Sequence, residues 1–139
     1  MMLVLSLTEF EADPSGRDVY VSFDASVSAR PFSGASNSTV HERDLLSFLD
    51  AAESLGRTSS GRAELRGGWG ESEYVKFSLE PRGSLGHLAL NVVLREYPPD
   101  TDFRVQGNLH VEPQQLIDFA TSVRAAVLAR EPKTFELGS

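Results

Sequence analysis

The sequence predicts an α+β domain in two layers, a largely antiparallel sheet of about six to seven strands with two helices packed on one face. Three observations predict it. Val19, Val21, Phe23, Ala25, Val27 and Ala29 alternate with polar residues in the longest strict period-2 run of the chain, the mark of a half-buried strand. From Tyr74 to Val111, three more alternating runs are separated by two turn-rich gaps, as in an antiparallel meander. Two further segments, one before Gly56 and one after Pro113, place their apolar residues at helical spacing instead.

In chain order, Leu3, Leu5 and Leu7 alternate with Met2, Val4 and Ser6 and predict a first strand. Pro14-Ser15-Gly16 marks a turn into the long second run. Pro31 to Asn37 reads as a loop, and Ser38 to His41 as a short strand. Arg43 to Leu55 reads as the first helix, with Leu45, Phe48, Leu49 and Ala52 on its apolar stripe and Leu46 widening it. Glu42 and Asp44 suit its positive end, and Gly56 is expected to supply a left-handed residue at its C-terminus. Arg62 to Arg66 predicts a strand with Ala63 and Leu65 inward, broken by Gly67-Gly68-Trp69-Gly70. We expect a bend or bulge there, with Trp69 over an edge.

The meander follows. Val75, Phe77 and Leu79 face inward, with Tyr74, Lys76, Ser78 and Glu80 outward. Pro81-Arg82-Gly83-Ser84 turns the chain. Leu88, Leu90, Val92 and Leu94 face inward, with His87, Ala89, Asn91, Val93 and Arg95 outward. After Tyr97-Pro98-Pro99-Asp100 the last run puts Phe103, Val105, Leu109 and Val111 inward and Arg104, Gln106, Asn108 and His110 outward. Gly107 falls at an inward position, so a close neighbour is expected over it. Glu112 is placed to cap the final helix, with Pro113 in its first position. Leu116, Phe119, Ala120, Val123 and Val127 form its stripe, and Pro132 ends it. The 139 residues read as one domain, with 131–139 as a C-terminal tail in which Phe135 and Leu137 are candidates for contact with the body.

Composition limits the function classes. The chain has no cysteine, so disulfides, thiol nucleophiles and thiolate metal sites are excluded. The first ten residues lack a basic region and are followed by Glu11 and Asp13, a poor match to a signal peptide. No apolar run approaches the roughly 18 residues of a membrane span. A soluble cytoplasmic protein is expected. The net charge of −7, from 20 acids and 13 bases, argues against binding nucleic acid or its phosphates. It suits solubility or attraction to a basic protein.

The outward side of the meander carries the candidate site residues Lys76, Glu80, His87, Asn91, Arg95, Arg104, Gln106 and His110. If Leu94 lies opposite Phe103, then Arg95 faces Asp102, Asn91 faces Gln106 and His87 faces His110. A six-residue turn then sets Glu80 beside His87. The row Glu80, His87, His110 suggests either a carboxylate-oriented histidine or half of a metal site, against the plainer reading of a solvated cross-strand polar row. The plainer reading is preferred, because a flat exposed sheet excludes water poorly. His41 reads as a residue of the first helix's cap region. Gly67-Gly68-Trp69-Gly70 lacks the phosphate-loop ending, and Asp100-Thr101-Asp102 is too short for a calcium loop. No catalytic residue, cofactor or metal is assigned.

The strand Gly86-His87-Leu88-Ala89-Leu90-Asn91-Val92-Val93-Leu94 resembles that of a group of small, uncharacterised bacterial proteins with a Gly-His core strand. With the helix Asp44-Leu45-Leu46-Ser47-Phe48-Leu49, and a last helix entered through Gln114-Gln115-Leu116, the layout over about residues 18–129 is similar to WapI-type immunity proteins. The resemblance implies a protein that neutralises a bacterial toxin by binding it, and carries over no catalytic residue. The expected function is therefore non-enzymatic protein binding. The partner would be another protein, such as a basic toxin domain, and the chain a monomer or an edge-strand homodimer. The alternatives are a small enzyme or metal-binding protein using the Glu/His row, and a small-ligand binder with a pocket near Gly107 and Trp69.

Overall fold

A computed structural model describes residues 1–69, 72–83, 86–95 and 103–138. The elements, in order, are β1 (Met2–Ala12), β2 (Val19–Ala29), β3 (Phe32–His41), α1 (Glu42–Thr58), β4 (Ala63–Trp69), β5 (Ser72–Pro81), β6 (Leu88–Arg95), β7 (Arg104–Val111), α2 (Pro113–Ala129) and β8 (Lys133–Gly138). The α+β class and the antiparallel pairing match expectation. Among the described residues the strands number eight and divide into two sheets, β3-β2-β1-β8 (sheet A) and β4-β5-β6-β7 (sheet B).

Sheet A is built on the alternation of its first two strands. Leu3, Leu5 and Leu7 of β1 lie opposite Val27, Ala25 and Phe23 of β2, and all six are buried. A register shift between Leu7 and Glu9 lets β1 run on to Ala12. β3 is longer than its composition suggests. The Ser- and Gly-rich stretch from Phe32 pairs with β2 along its whole length, so the expected loop at 31–37 is mostly strand. Pairing with β2 gives the backbone of this weak strand former a ladder, and tertiary context overrides propensity. The expected tail contains β8, which pairs with β1 from Leu7↔Lys133 to Met2↔Gly138 and buries Phe135 and Leu137.

β3 also joins the two sheets. Ser38 lies over Gly67 of β4, the Ser36 hydroxyl donates to the Arg95 carbonyl of β6 at 2.6 Å, and Gly34 meets Val105 of β7. Four residues of strand advance about 13 Å, close to the roughly 14 Å that separates the first and fourth strands of a sheet. β3 therefore crosses the strand ends of sheet B at near right angles, an orthogonal packing of sheets. The crossing is close because side chains are small at the contacts. A Cβ on Gly67 would collide with Ser38, and one on Gly34 with Val105.

The helices pack against the apolar side. α1 touches β2, β3, β4 and β5, and α2 packs on α1 and β8. Phe77 of β5 has Phe23 of β2 and Phe48 of α1 at the same ring-centroid distance of 6.3 Å, so one aromatic cluster spans both sheets and a helix. Gly56 lies inside α1, not after it. The left-handed residue is Ser59, at φ 55°. Gly56 is buried because α2 passes over it: a Cβ there would stand 2.7 Å from Ile117 Cγ1 and 3.0 Å from the Pro113 carbonyl oxygen. Arg124 of α2 adds polar contacts to Asp50 at 3.0 Å and Glu53 at 3.2 Å. As expected, α2 begins with Glu112 as N-cap, and the Gln115 side-chain oxygen accepts from the Glu112 N–H at 3.2 Å.

Candidate functional site

The candidate surface is the outer face of sheet B, and its register decides which residues meet. β6 and β7 pair with Leu94 opposite Val105 and Leu88 opposite Val111, two residues away from the expected alignment. An even shift keeps every side chain on its face. All eight candidate residues accordingly fall on the outward phase of β5, β6 and β7 or its extension. Their neighbours change. Arg95 faces Arg104, not Asp102, which lies outside the described residues. Asn91 faces Asn108, not Gln106, and donates from Nδ2 to Asn108 Oδ1 at 2.8 Å. Gln106 faces Val93. Phe103, expected inward, is 73% exposed, because Val105 and not Phe103 lies opposite Leu94.

β5 supplies the third strand. Lys76 lies opposite Val93, Ser78 opposite Asn91 and Glu80 opposite Ala89. Tyr74, expected outward, is 5% exposed and belongs to the core. A register shift between Gly67 and Gly68 leaves Tyr74 as an extra residue, since Gly67 pairs with Val75 and Gly68 with Glu73. Such a bulge re-aims a side chain. The bend expected around Gly67-Gly68 is thus present. The Trp69 side chain and the turn at 97–100 lie outside the described residues. β4 widens the face by Glu64 and Arg66, opposite Ser78 and Lys76. Arg66 bonds Glu64 and lies 3.7 Å from Glu73. The Arg66 hydrogen bond holds the Glu64 carboxyl below the usual carboxylate range, and the Glu64 hydrogen bond raises the Arg66 guanidinium.

The expected row Glu80, His87, His110 forms only in part. His87 and His110 do meet, with ring centroids 4.8 Å apart. Glu80 lies opposite Ala89 and not beside His87. The carboxylate that joins the histidines is Glu112, whose Oε1 is 2.9 Å from His110 Nε2. Carried one step past the ladder, the pairing of Leu88 with Val111 sets His87 opposite Glu112. His110 lies two residues earlier on the same side of β7. Glu112 reads first as a helix cap, yet the outward phase of β7 continues through it, which is the signal that could have assigned it to this face. His41 stands at the N-cap position of α1, as expected, and its ring lies 4.7 Å from that of Tyr20, tilted by 39°.

The space over Gly107 is occupied by Met1. A Cβ there would lie 3.0 Å from Met1 Cε, so Met1 is the close neighbour expected at that position. A cavity between Leu5, Phe23, Phe48 and Phe77 measures about 20 Å³ and is lined by apolar groups. That volume is close to one water and far below the roughly 300 Å³ of a ligand pocket.

Two acids of the β1–β2 connection make local contacts. Asp13 accepts from the Ser15 hydroxyl at 2.6 Å, which holds its carboxyl below the usual range. Asp18 lies 3.6 Å from Arg43. No helix among the described residues is long and apolar enough to cross a membrane. No protein-family model matches this chain, and no curated protein matches it.

Proposed function

We propose that this chain is a non-enzymatic protein-binding domain, of the kind that neutralises a bacterial toxin, and that it binds through the outer face of sheet B. The observation that carries the reading is the shared face of β5, β6 and β7. Eight polar or charged side chains lie there on rigid strands, around the Asn91–Asn108 hydrogen bond. A backbone held by a ladder loses little freedom on binding, so the ordering cost falls on the side chains. The exposure of His87, His110 and Glu112 also supports binding over acid–base catalysis, since bulk water competes at such a site.

Charge acts at two ranges. The net charge of −7 attracts a basic partner at a distance. The contact residues Lys76, Arg95 and Arg104 outnumber Glu80, so that partner's contact patch would carry carboxylates. The β6–β7 pair sets Arg95 directly against Arg104. Like charges in this position are unfavourable in the free protein, and a partner carboxylate between them relieves the repulsion.

The test is co-expression with the product of the adjacent gene, scored by growth and by isolation of a complex. Protection and a stable complex are expected. Gln106→Arg and Asn108→Arg, at exposed positions, should abolish both while leaving the melting temperature within about 2 °C. Absence of both a complex and protection would refute the reading.

A further inference from the structure

We propose that His87, His110 and Glu112 form a binding site for a divalent transition-metal ion of the zinc class. Their ligand atoms all lie within 4.8 Å of one another. Two imidazoles and one carboxylate form a donor set that zinc accepts, at metal–ligand distances of about 2.0–2.2 Å. Ligands around a tetrahedral ion at those distances stand roughly 3.4 Å apart. Side-chain rotation alone covers the difference, because the three residues sit at fixed places on one face.

The backbone beneath the site is held at each ligand. The His87 carbonyl accepts from the Arg82 N–H at 2.8 Å, closing the β5–β6 connection. His110 pairs with Ala89 in the ladder. The Glu112 N–H is held by Gln115, and its carbonyl accepts from the Leu116 N–H at 3.1 Å. Glu112 Oε1 lies 2.9 Å from His110 Nε2, and the two imidazoles lie against each other. The two imidazoles gain little from facing each other in water, whereas one cation satisfies both rings and the carboxylate. All three residues are exposed, so water or a group from outside the chain completes the coordination. This site does not depend on the binding function proposed above.

The experiment titrates the full chain with zinc chloride at pH 7.5, by calorimetry and by competition with a chromophoric chelator. One ion per chain is expected. His110→Ala and His87→Ala should each weaken binding by at least the roughly 10- to 100-fold that loss of a mere supporting residue costs. Glu112→Gln should weaken it too. His41→Ala removes the remaining histidine, away from the site, and should leave affinity within about twofold. Chain-averaged circular dichroism checks that each variant is folded. Absence of a one-to-one ion in the unmodified chain would overturn the proposal, as would His110→Ala binding zinc as tightly as the unmodified chain.

Discussion

Gly56→Ala in α1 sets two effects of opposite sign against each other. In an open helix the change stabilises by about 1 kcal/mol, because alanine loses less backbone freedom. Here the new Cβ would stand 2.7 Å from Ile117 Cγ1 and 3.0 Å from the Pro113 carbonyl oxygen. Ordinary contact between carbon atoms is about 3.5–4.0 Å, so the isoleucine is too close by roughly an ångström. It cannot step aside cheaply, since a β-branched side chain in a helix has one strongly preferred rotamer. The other neighbour is backbone. Either Ile117 leaves its rotamer or α1 and α2 separate and loosen Arg124 from Asp50 and Glu53. Overpacking of this kind costs about 1–3 kcal/mol. Packing therefore wins over propensity, with a net loss of about 1 kcal/mol and a melting temperature lower by roughly 3–5 °C.

Urea unfolding followed by circular dichroism measures the change. The decisive comparison is the same substitution in an Ile117→Ala background. With the isoleucine gone, Gly56→Ala should become neutral or stabilising, giving a coupling of about 1–2 kcal/mol between the two positions. The reasoning fails if Gly56→Ala stabilises the unmodified chain, or if its effect is the same in both backgrounds.

Three further outcomes test other parts of the structure. Phe135→Ala should cost about 3 kcal/mol or more in urea unfolding, since β8 buries this ring; a loss under about 0.5 kcal/mol would mean that 133–138 is a tail after all. Phe103→Ala should change stability by less than about 0.5 kcal/mol, whereas a core-sized loss would restore the alignment of Leu94 with Phe103. Arg124→Ala should flatten the acid limb of stability against pH. The Arg124 hydrogen bond is the largest cause holding the Glu53 carboxyl below its usual value of 4.5. A carboxyl depressed on folding contributes stability that is complete above that value and is lost as the pH falls through its folded-state pKa. Melting temperatures from pH 6 to pH 3 should therefore fall less steeply in the variant, and an unchanged slope would refute the assignment.

Most strands were legible because burial on one face imposes a period of two, and β2, β5, β6 and β7 obey it. The two-sheet arrangement was not, because alternation reports which side of a strand is dry and not which sheet the strand joins. Leu3, Leu5 and Leu7 and Leu88, Leu90 and Leu94 look alike, yet they belong to different sheets. β3 and β8 were weak in sequence for separate reasons. β3 presents Gly34, Ser36 and Ser38 inward because sheet B crosses it there, and close crossing selects small residues over the apolar ones that announce a strand. β8 is six residues long and shows only Phe135 and Leu137 inward. Gly56 misled for a related reason. Glycine near the end of a helical stripe usually terminates it, and here it admits a second helix.

The candidate surface shows where pattern reasoning stops. A shift of two residues between β6 and β7 leaves every outward side chain outward, so the identity of the face survives an error of register. The constellation on it does not survive, because each residue acquires a different partner. The same shift sets Arg104 opposite Arg95, puts Asn108 in place of Gln106 beside Asn91, and brings Glu112 to the histidines, while the β5–β6 register sets Glu80 opposite Ala89. Apolar periodicity cannot detect such a shift, since Leu94 is as well matched to Val105 as to Phe103. What discriminates is the length of the connection and the point where the chain must enter α2. Pairing Leu88 with Val111 takes the ladder to the last residue before the N-cap. This extension brings a capping carboxylate level with His87, and makes the junction of β6, β7 and α2 the one place among the described residues where three metal-ligating side chains converge.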